Sequence, residues 1–261
     1  MTTLTIAIAS SGRPSLVRTL LSLDQVQRPR GTAIDIVVAD DDPGGAAGRL
    51  VAATQLSLPI RVLAVGSRNI STARNACLDA ASGDLLAFVD DDEWVAEDWL
   101  VRLLAALDDF SADAVVGPVY PQYPGGTPAW VKRANPLYAD WGRRGSPIAT
   151  GRTSNVLLRT ELVRTHRLRF DPALGRTGGE DTEFFGALAE RGGRIVATDD
   201  ASVFEQAPPE RLQPGYLKLR ALRRGQSYAR FRDRRAGSRA LVKALFYAGA
   251  AAKAAVGLGA A

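Results

Sequence analysis

The chain has 261 residues, 46% hydrophobic and 23% charged, with a formal net charge of +5. That balance excludes a disordered, collagen-like or coiled-coil chain and supplies enough apolar surface for a sizeable core. One cysteine, Cys77, and one histidine, His166, exclude a disulfide framework and a thiolate zinc cluster, and argue against a Ser-His-Asp triad or a multi-His metal site. Any metal would be a hard, oxygen-liganded cation such as Mg²⁺ or Mn²⁺.

From the amino terminus, Met1 to Ser10 has no basic lead-in and reads as a strand, so no cleaved leader and a cytoplasmic location are expected. Apolar runs at Leu4–Ala9, Ile34–Ala39, Ile60–Val65 and Leu85–Val89 alternate with helical spacing over Pro14–Leu23, Ala46–Gln55 and Ser71–Ala81. Pro14 suits a first turn, and Ser71 an N-cap. A helix is expected over Trp94–Leu107 and a strand over Ala114–Val119. The Pro-, Gly- and aromatic-rich stretch 121–147 reads as irregular. Asn155–Leu158 returns to strand, and Thr160 is expected to cap a short helix ending at His166. A helix over Glu180–Arg191 is entered through Gly178 and Gly179, strands follow at Ile195–Ala197 and Val203–Phe204, and the rest is helical and basic. Apolar strands parted by helices predict an α/β fold: a single Rossmann-like, mostly parallel sheet flanked by helices, with ligands beyond the strands' carboxyl ends.

Acids cluster at those ends. Leu85–Val89 runs into Asp90, Asp91, Asp92 and Glu93. Such a run needs compensation, by a divalent cation that keeps positions open for phosphate oxygens or by the dipole of the next helix. Ile34–Ala39 ends in Asp40, Asp41 and Asp42, which could accept from a ribose hydroxyl or a base N–H, or form an ordinary Asp-Pro-Gly turn. Arg74 could grip a diphosphate bidentately, or be a solvated helix charge. Gly178-Gly179-Glu180-Asp181 could bring a general base to a hydroxyl, or simply start a helix with favourable charges. Trp130, Trp141, Tyr123 and Tyr138 could stack on an acceptor sugar or pack inside. No Gly-x-x-x-x-Gly-Lys-Ser/Thr run occurs, which excludes a P-loop ATPase, and no Gly-x-Gly-x-x-Gly follows the first strand.

The Ile34–Asp42 strand, Ala73-Arg74-Asn75, Phe88-Val89-Asp90-Asp91-Asp92, Ser154-Asn155-Val156-Leu157-Leu158 and Phe170-Asp171…Gly178-Gly179-Glu180-Asp181 together resemble the inverting family 2 glycosyltransferases of GT-A fold, over residues 3–235. The likeness is nearest to bacterial polysaccharide enzymes such as the glucosyltransferases of succinoglycan assembly. It implies a nucleoside-diphosphate sugar donor, UDP-linked, and a glycan or lipid-linked oligosaccharide acceptor. It implies nucleotide-sugar contacts at Ser10, Asp40, Asp41, Arg74, Asp90 and Asp91, with Asp41 on the base and Arg74 on the diphosphate. Asp92, with Asp90, would hold Mg²⁺ or Mn²⁺; Asp181 would be the catalytic base, with Glu180 orienting. Gly178, Gly179, Trp130 and Trp141 fall on the acceptor side. The family's late metal-shell His would have no counterpart here, since His166 falls before Asp181, and Glu205 is the candidate to replace it. The Gln-x-x-Arg-Trp signature of processive members is absent, Gln226 to Phe231 being one residue too long, which favours transfer of a single sugar.

On this reading residues 1–210 form the catalytic domain, with a nucleotide-sugar half at 1–119 and an acceptor half at 120–210. Residues 211–261 form a basic helical extension holding 12 Lys and Arg against the single acid Asp233, whereas residues 1–210 carry a net −6. The longest substantial uncharged stretch there, Ala244–Ala252, has nine residues, against the ~20 that span a bilayer. Peripheral contact with the inner, anionic membrane surface is expected instead, or packing on the domain. Two other readings stand beside this one. A Mg-dependent sugar-phosphate nucleotidyltransferase would use Ser10-Ser11-Gly12-Arg13 as its loop. A non-catalytic nucleotide- or RNA-binding protein would use the tail, but Tyr216, Tyr228 and Phe231 give little base stacking, so no nucleic-acid partner is expected.

Overall fold

The computed structural model describes residues 2–236; the expected apolar segment 240–261, with Lys243 and Lys253, lies outside them. Strand β1 (Thr2–Ser10) leads to α1 (Leu16–Asp24), β2 (Thr32–Asp40), α2 (Ala46–Ala52), β3 (Ile60–Ala64), α3 (Ile70–Ala80) and β4 (Leu85–Val89). Then come β5 (Glu93–Val95), α4 (Trp99–Asp109), β6 (Ala114–Val116), β7 (Val119–Gln122) and the short α5 (Ala129–Ala134). The chain ends with β8 (Asn155–Arg159), α6 (Thr160–Thr165), α7 (Glu180–Glu190), β9 (Ile195–Ala197), β10 (Val203–Gln206) and α8 (Pro214–Ala236).

Seven strands form one sheet in the order β3-β2-β1-β4-β8-β6-β9. All neighbours are parallel except β8, which runs antiparallel to both β4 and β6. The central strands β4 and β8 and the short β6 and β9 are buried on both faces because both faces are covered. Leu4, Ile6 and Ile8 of β1 join a core with α1, α2 and α4, while Ala7 joins the opposite core with α3 and α7. This two-residue alternation is the strand period expressed as packing. Strand order reverses beside β1, whose last residue Ser10 lies level with Asp40 of β2. An open crevice at the strands' carboxyl ends follows, as expected for such sheets.

Three local expectations are corrected. Trp94 is not helical: β5 pairs antiparallel with β10, Thr19 Oγ1 donates to the Glu93 carbonyl at 2.6 Å, and the Trp94 ring stacks on Phe204. Sheet pairing outweighs the helical pattern there, and α4 begins at Trp99. The N-cap of α3 is Asn69, whose Oδ1 accepts from the N–H groups of Ser71 and Thr72. Thr160 is the first residue of α6 and gives its hydroxyl to the Gly83 and Asp84 carbonyls, so it ties α6 to the loop before β4 instead of capping.

Asn155, at the start of β8, binds the sheet to its cover. Its Oδ1 accepts from Trp99 Nε1 at 2.8 Å, and its Nδ2 donates to the carbonyls of Pro118 and Ala201. A Cβ on Gly117 would stand 2.4 Å from that amide, so only glycine fits. A second sheet, β5-β10-β7, closes one side of the crevice.

Candidate active site

The acid run after β4 is compensated by three guanidinium groups. Asp91 is buried and accepts from Ser10 Oγ at 2.7 Å and Arg13 Nη1 at 3.2 Å. Asp92 Oδ2 takes Arg13 Nη1 at 2.8 Å and Arg211 Nη2 at 3.3 Å. Glu93 turns inward and accepts from the Asp90 N–H at 3.0 Å. Burial, followed by the charge of Asp90, holds its carboxyl well above the usual range. Desolvation also raises the Asp90 carboxyl, to about 7; Arg74 opposes this, and Asp92, Asp181 and Asp91 add to it.

Arg74, buried on α3, reaches across the crevice. Its Nη1 donates to Glu180 Oε1 at 2.7 Å and Asp181 Oδ1 at 2.6 Å, and its Nη2 lies 3.4 Å from Asp90 Oδ1. In this structure the guanidinium is thus committed to three carboxylates. Thr153 Oγ1 also donates to Asp181 Oδ1, at 3.2 Å. Both contacts use the same oxygen, Oδ1. Glu180 stands behind, its Oε2 buried and without a hydrogen-bond partner, and desolvation then Asp181 raise its carboxyl. Gly178 and Gly179, at φ 84° and 101°, make the left-handed turn that delivers the start of α7 to the cleft.

Two hollows meet at Asp90 and Asp92. One, of about 510 Å³, is lined by Ser10, Asp41, Asp42, Arg68 and Arg74. The other, of about 660 Å³, holds Asp181, Gly178, Gly179, Trp141 and Glu205. Asp41 Oδ1 accepts from the N–H and hydroxyl of Ser67. Asp40 lines neither hollow: its oxygens accept from the N–H groups of Asp42 and Gly48, so it shapes the loop that presents Asp41. Trp130, 47% exposed on α5, also lies outside both. Glu205 is ion-paired to Arg211 beside Asp92.

Sequence reasoning missed Thr153, Arg68 and Arg211, which carry no motif. Of the two fates left open for the basic tail, membrane contact or packing on the domain, packing holds for the described part. In the structure α8 packs beside α7, with Arg234 Nη1 3.5 Å from Glu183 Oε1, and Arg220, Arg223 and Arg224 line the larger hollow. Their spacing of i, i+3 and i+4 marks one helical face and could have been read.

Among the described residues no three His, Cys, Asp or Glu side chains are arranged to hold a metal ion. A Mg²⁺-like cation bound by one or two carboxylates and by substrate phosphates needs no such cage. Asp92 and Asp90 fit that part of its shell, all hard oxygens at the junction of the hollows.

Residues 6–168 match the model for Glycosyl transferase family 2. The chain belongs to this family. As a family 2 member it is 38% identical over 232 residues to the succinoglycan biosynthesis protein ExoM of Rhizobium meliloti, covering 86% of this chain and 74% of that one. Its fold is GT-A. S. aureus TarS 1-349 in complex with UDP superposes with a TM-score of 0.59 at 19% identity, over 80% of this chain. The Pyrobaculum calidifontis mannosyltransferase PcManGT, in complex with GDP-Man and Mn²⁺, gives 0.63 at 20%, over 87% of this chain. The family 2 chain described here spans 62% of the length of each of those two structures.

Proposed function

We propose that this chain transfers one sugar from a UDP-linked donor to a hydroxyl of a glycan or lipid-linked oligosaccharide, with inversion, in cell-surface polysaccharide synthesis. The observation that carries the reading is the meeting of Asp181 and Asp90 on Arg74, where the two hollows join. The smaller hollow takes the nucleotide, with Asp41 toward the base and Ser10 and Asp91 fixing the end of β1 against the acid run. ExoM's name supports the polysaccharide role, and the ligands named for TarS and PcManGT support a nucleotide-sugar donor and a divalent metal.

Asp181 Oδ2 takes the proton of the acceptor hydroxyl as that oxygen attacks the anomeric carbon. Arg74 and Thr153 fix the carboxylate through Oδ1, and Glu180 holds Arg74 in place. One displacement inverts the centre, so no second catalytic carboxylate is needed, unlike retaining hydrolysis. A divalent cation bound at Asp92 and Asp90 would neutralise charge gathering on the departing diphosphate.

Incubation of the protein with UDP-sugars, Mn²⁺ and membrane glycolipid extract should release nucleoside diphosphate. Release of pyrophosphate from a nucleoside triphosphate and a sugar 1-phosphate, in a parallel incubation, would instead identify a nucleotidyltransferase. The structure gives that reading little support, because the loop after β1 is tied down: Ser10 Oγ bonds Asp91 and the Gly12 N–H, and Arg13 bonds Asp91 and Asp92.

We also propose peripheral attachment of residues 211–261 to an anionic membrane surface. Among the described residues no helix is long and apolar enough to cross a membrane. On α8, however, Leu219 and Leu222 are 46% and 55% exposed, beside basic residues such as Lys218. The full chain should co-sediment with anionic vesicles at low salt and detach at high salt, and deletion of 236–261 should weaken binding. Equal, negligible binding by both forms would exclude attachment.

A further inference from the structure

One wall of the larger cleft carries guanidinium groups that no carboxylate answers. Arg220, Arg223 and Arg224 line it from a single face of α8, and Arg152, just before β8, lines it as well. Neighbouring arginines are paired: Arg211 with Asp92 and Glu205, Arg234 with Glu183. Among the described residues, none of Arg152, Arg220, Arg223 and Arg224 has an ion pair within 4 Å. The Nε of Arg220 is buried without a hydrogen-bond partner, and Glu205 and Tyr123 feel its charge only from further off. Partial desolvation against the cleft wall, then the positive charges of Arg152 and Arg220, push the Arg224 pKa down to about 10, although the residue as a whole is exposed. Like charges gathered with no carboxylate in ion-pair contact repel, and an anion placed among them relieves the repulsion.

We propose that Arg152, Arg220, Arg223 and Arg224 form a subsite for a phosphate or diphosphate group carried by the acceptor. A carboxylate presents two oxygens and fills one guanidinium fork. Four guanidiniums match a group with more oxygens and more charge. None of these four arginines lines the hollow assigned to the nucleotide, whereas all four share the cleft of Asp181, which places the group on the acceptor side and not on the donor. The assignment of the anion to the acceptor rests on the glycosyl-transfer reading above; the anion site itself does not.

Calorimetric titration of the full chain decides the matter, with inorganic pyrophosphate and with farnesyl diphosphate as probes in the presence of a chelator. The wild-type protein should bind pyrophosphate, more weakly as salt rises. The Arg220→Gln/Arg224→Gln variant keeps helix-forming residues, so its melting temperature should be unchanged. It should bind pyrophosphate at least tenfold more weakly, while its affinity for UDP with Mn²⁺ stays within about twofold. Tighter binding of farnesyl diphosphate than of pyrophosphate assigns the group to a lipid carrier, and equal binding assigns it to a soluble acceptor; either supports the subsite. No binding of pyrophosphate by the wild type, or undiminished binding by the variant, overturns it. So does an equal loss of UDP binding, which would move these arginines to the donor diphosphate. If neither protein binds UDP with Mn²⁺, the donor reading fails, and the pyrophosphate comparison still judges the subsite.

Discussion

Asp181→Asn should lower turnover about 10²–10⁴-fold, the range expected when a positioned general base is removed. The amide oxygen can still accept from Arg74 Nη1 and Thr153 Oγ1, so the start of α7 keeps its place. What is lost is a group able to take a proton. Donor affinity, measured by titration with UDP and Mn²⁺, should therefore change by less than about threefold, since binding and chemistry fall on different residues. Near-normal turnover in this variant would remove Asp181 as the base.

Arg74→Met should destabilise the protein by about 3–5 kcal/mol at pH 8, the cost typical of stripping one partner from a buried ion pair. Arg74 is 5% exposed, and its loss leaves Glu180, Asp181 and Asp90 facing one another without a cation. The sign of the pH dependence follows from the carboxyls already raised here, Asp90 and Glu180. Their folded-state values lie above the unfolded ones, so the folded protein holds more protons and stability falls as pH rises through that window. Without Arg74 those values rise further. The deficit relative to wild type should be largest at pH 8 and shrink toward pH 5, read by thermal melts at both. An equal melting temperature for the two proteins at pH 8 would show that Arg74 is not the keystone of this cluster.

The strands up to Val89 were readable because their signals are local. Leu4–Ala9, Ile34–Ala39 and Leu85–Val89 are apolar on both faces, and that pattern allows few homes other than the middle of a covered sheet. The acids after them announce the crevice edge for the same reason, since charge so close to a core must end at an opening. Other features were less legible because they are settled by distant partners. Trp94 lies in a helical pattern, but its fate depends on Phe204, more than a hundred residues away. Arg74 reads as a free cation until α7 brings Glu180 and Asp181 to it. Asp40 and Asp41 were both expected at the nucleotide sugar, and only the backbone amides of Asp42 and Gly48 mark Asp40 as a loop-former. The direction of β8 could not be read either, because an apolar run of five residues is the same in both senses.

That antiparallel strand has a consequence for synthesis on the ribosome. Strands β3, β2, β1 and β4 are made from the first 89 residues, and β4 pairs with β1 on one side only until β8 arrives. Translation from Val89 to Asn155 takes roughly 3–13 s at ~5–20 residues per second. Throughout that interval the most apolar strand of the nascent sheet shows a bare hydrogen-bonding edge, a template on which other chains can add. Slow codons that delay the emergence of β8 after β4 has left the ribosome would prolong that exposure and lower the soluble yield.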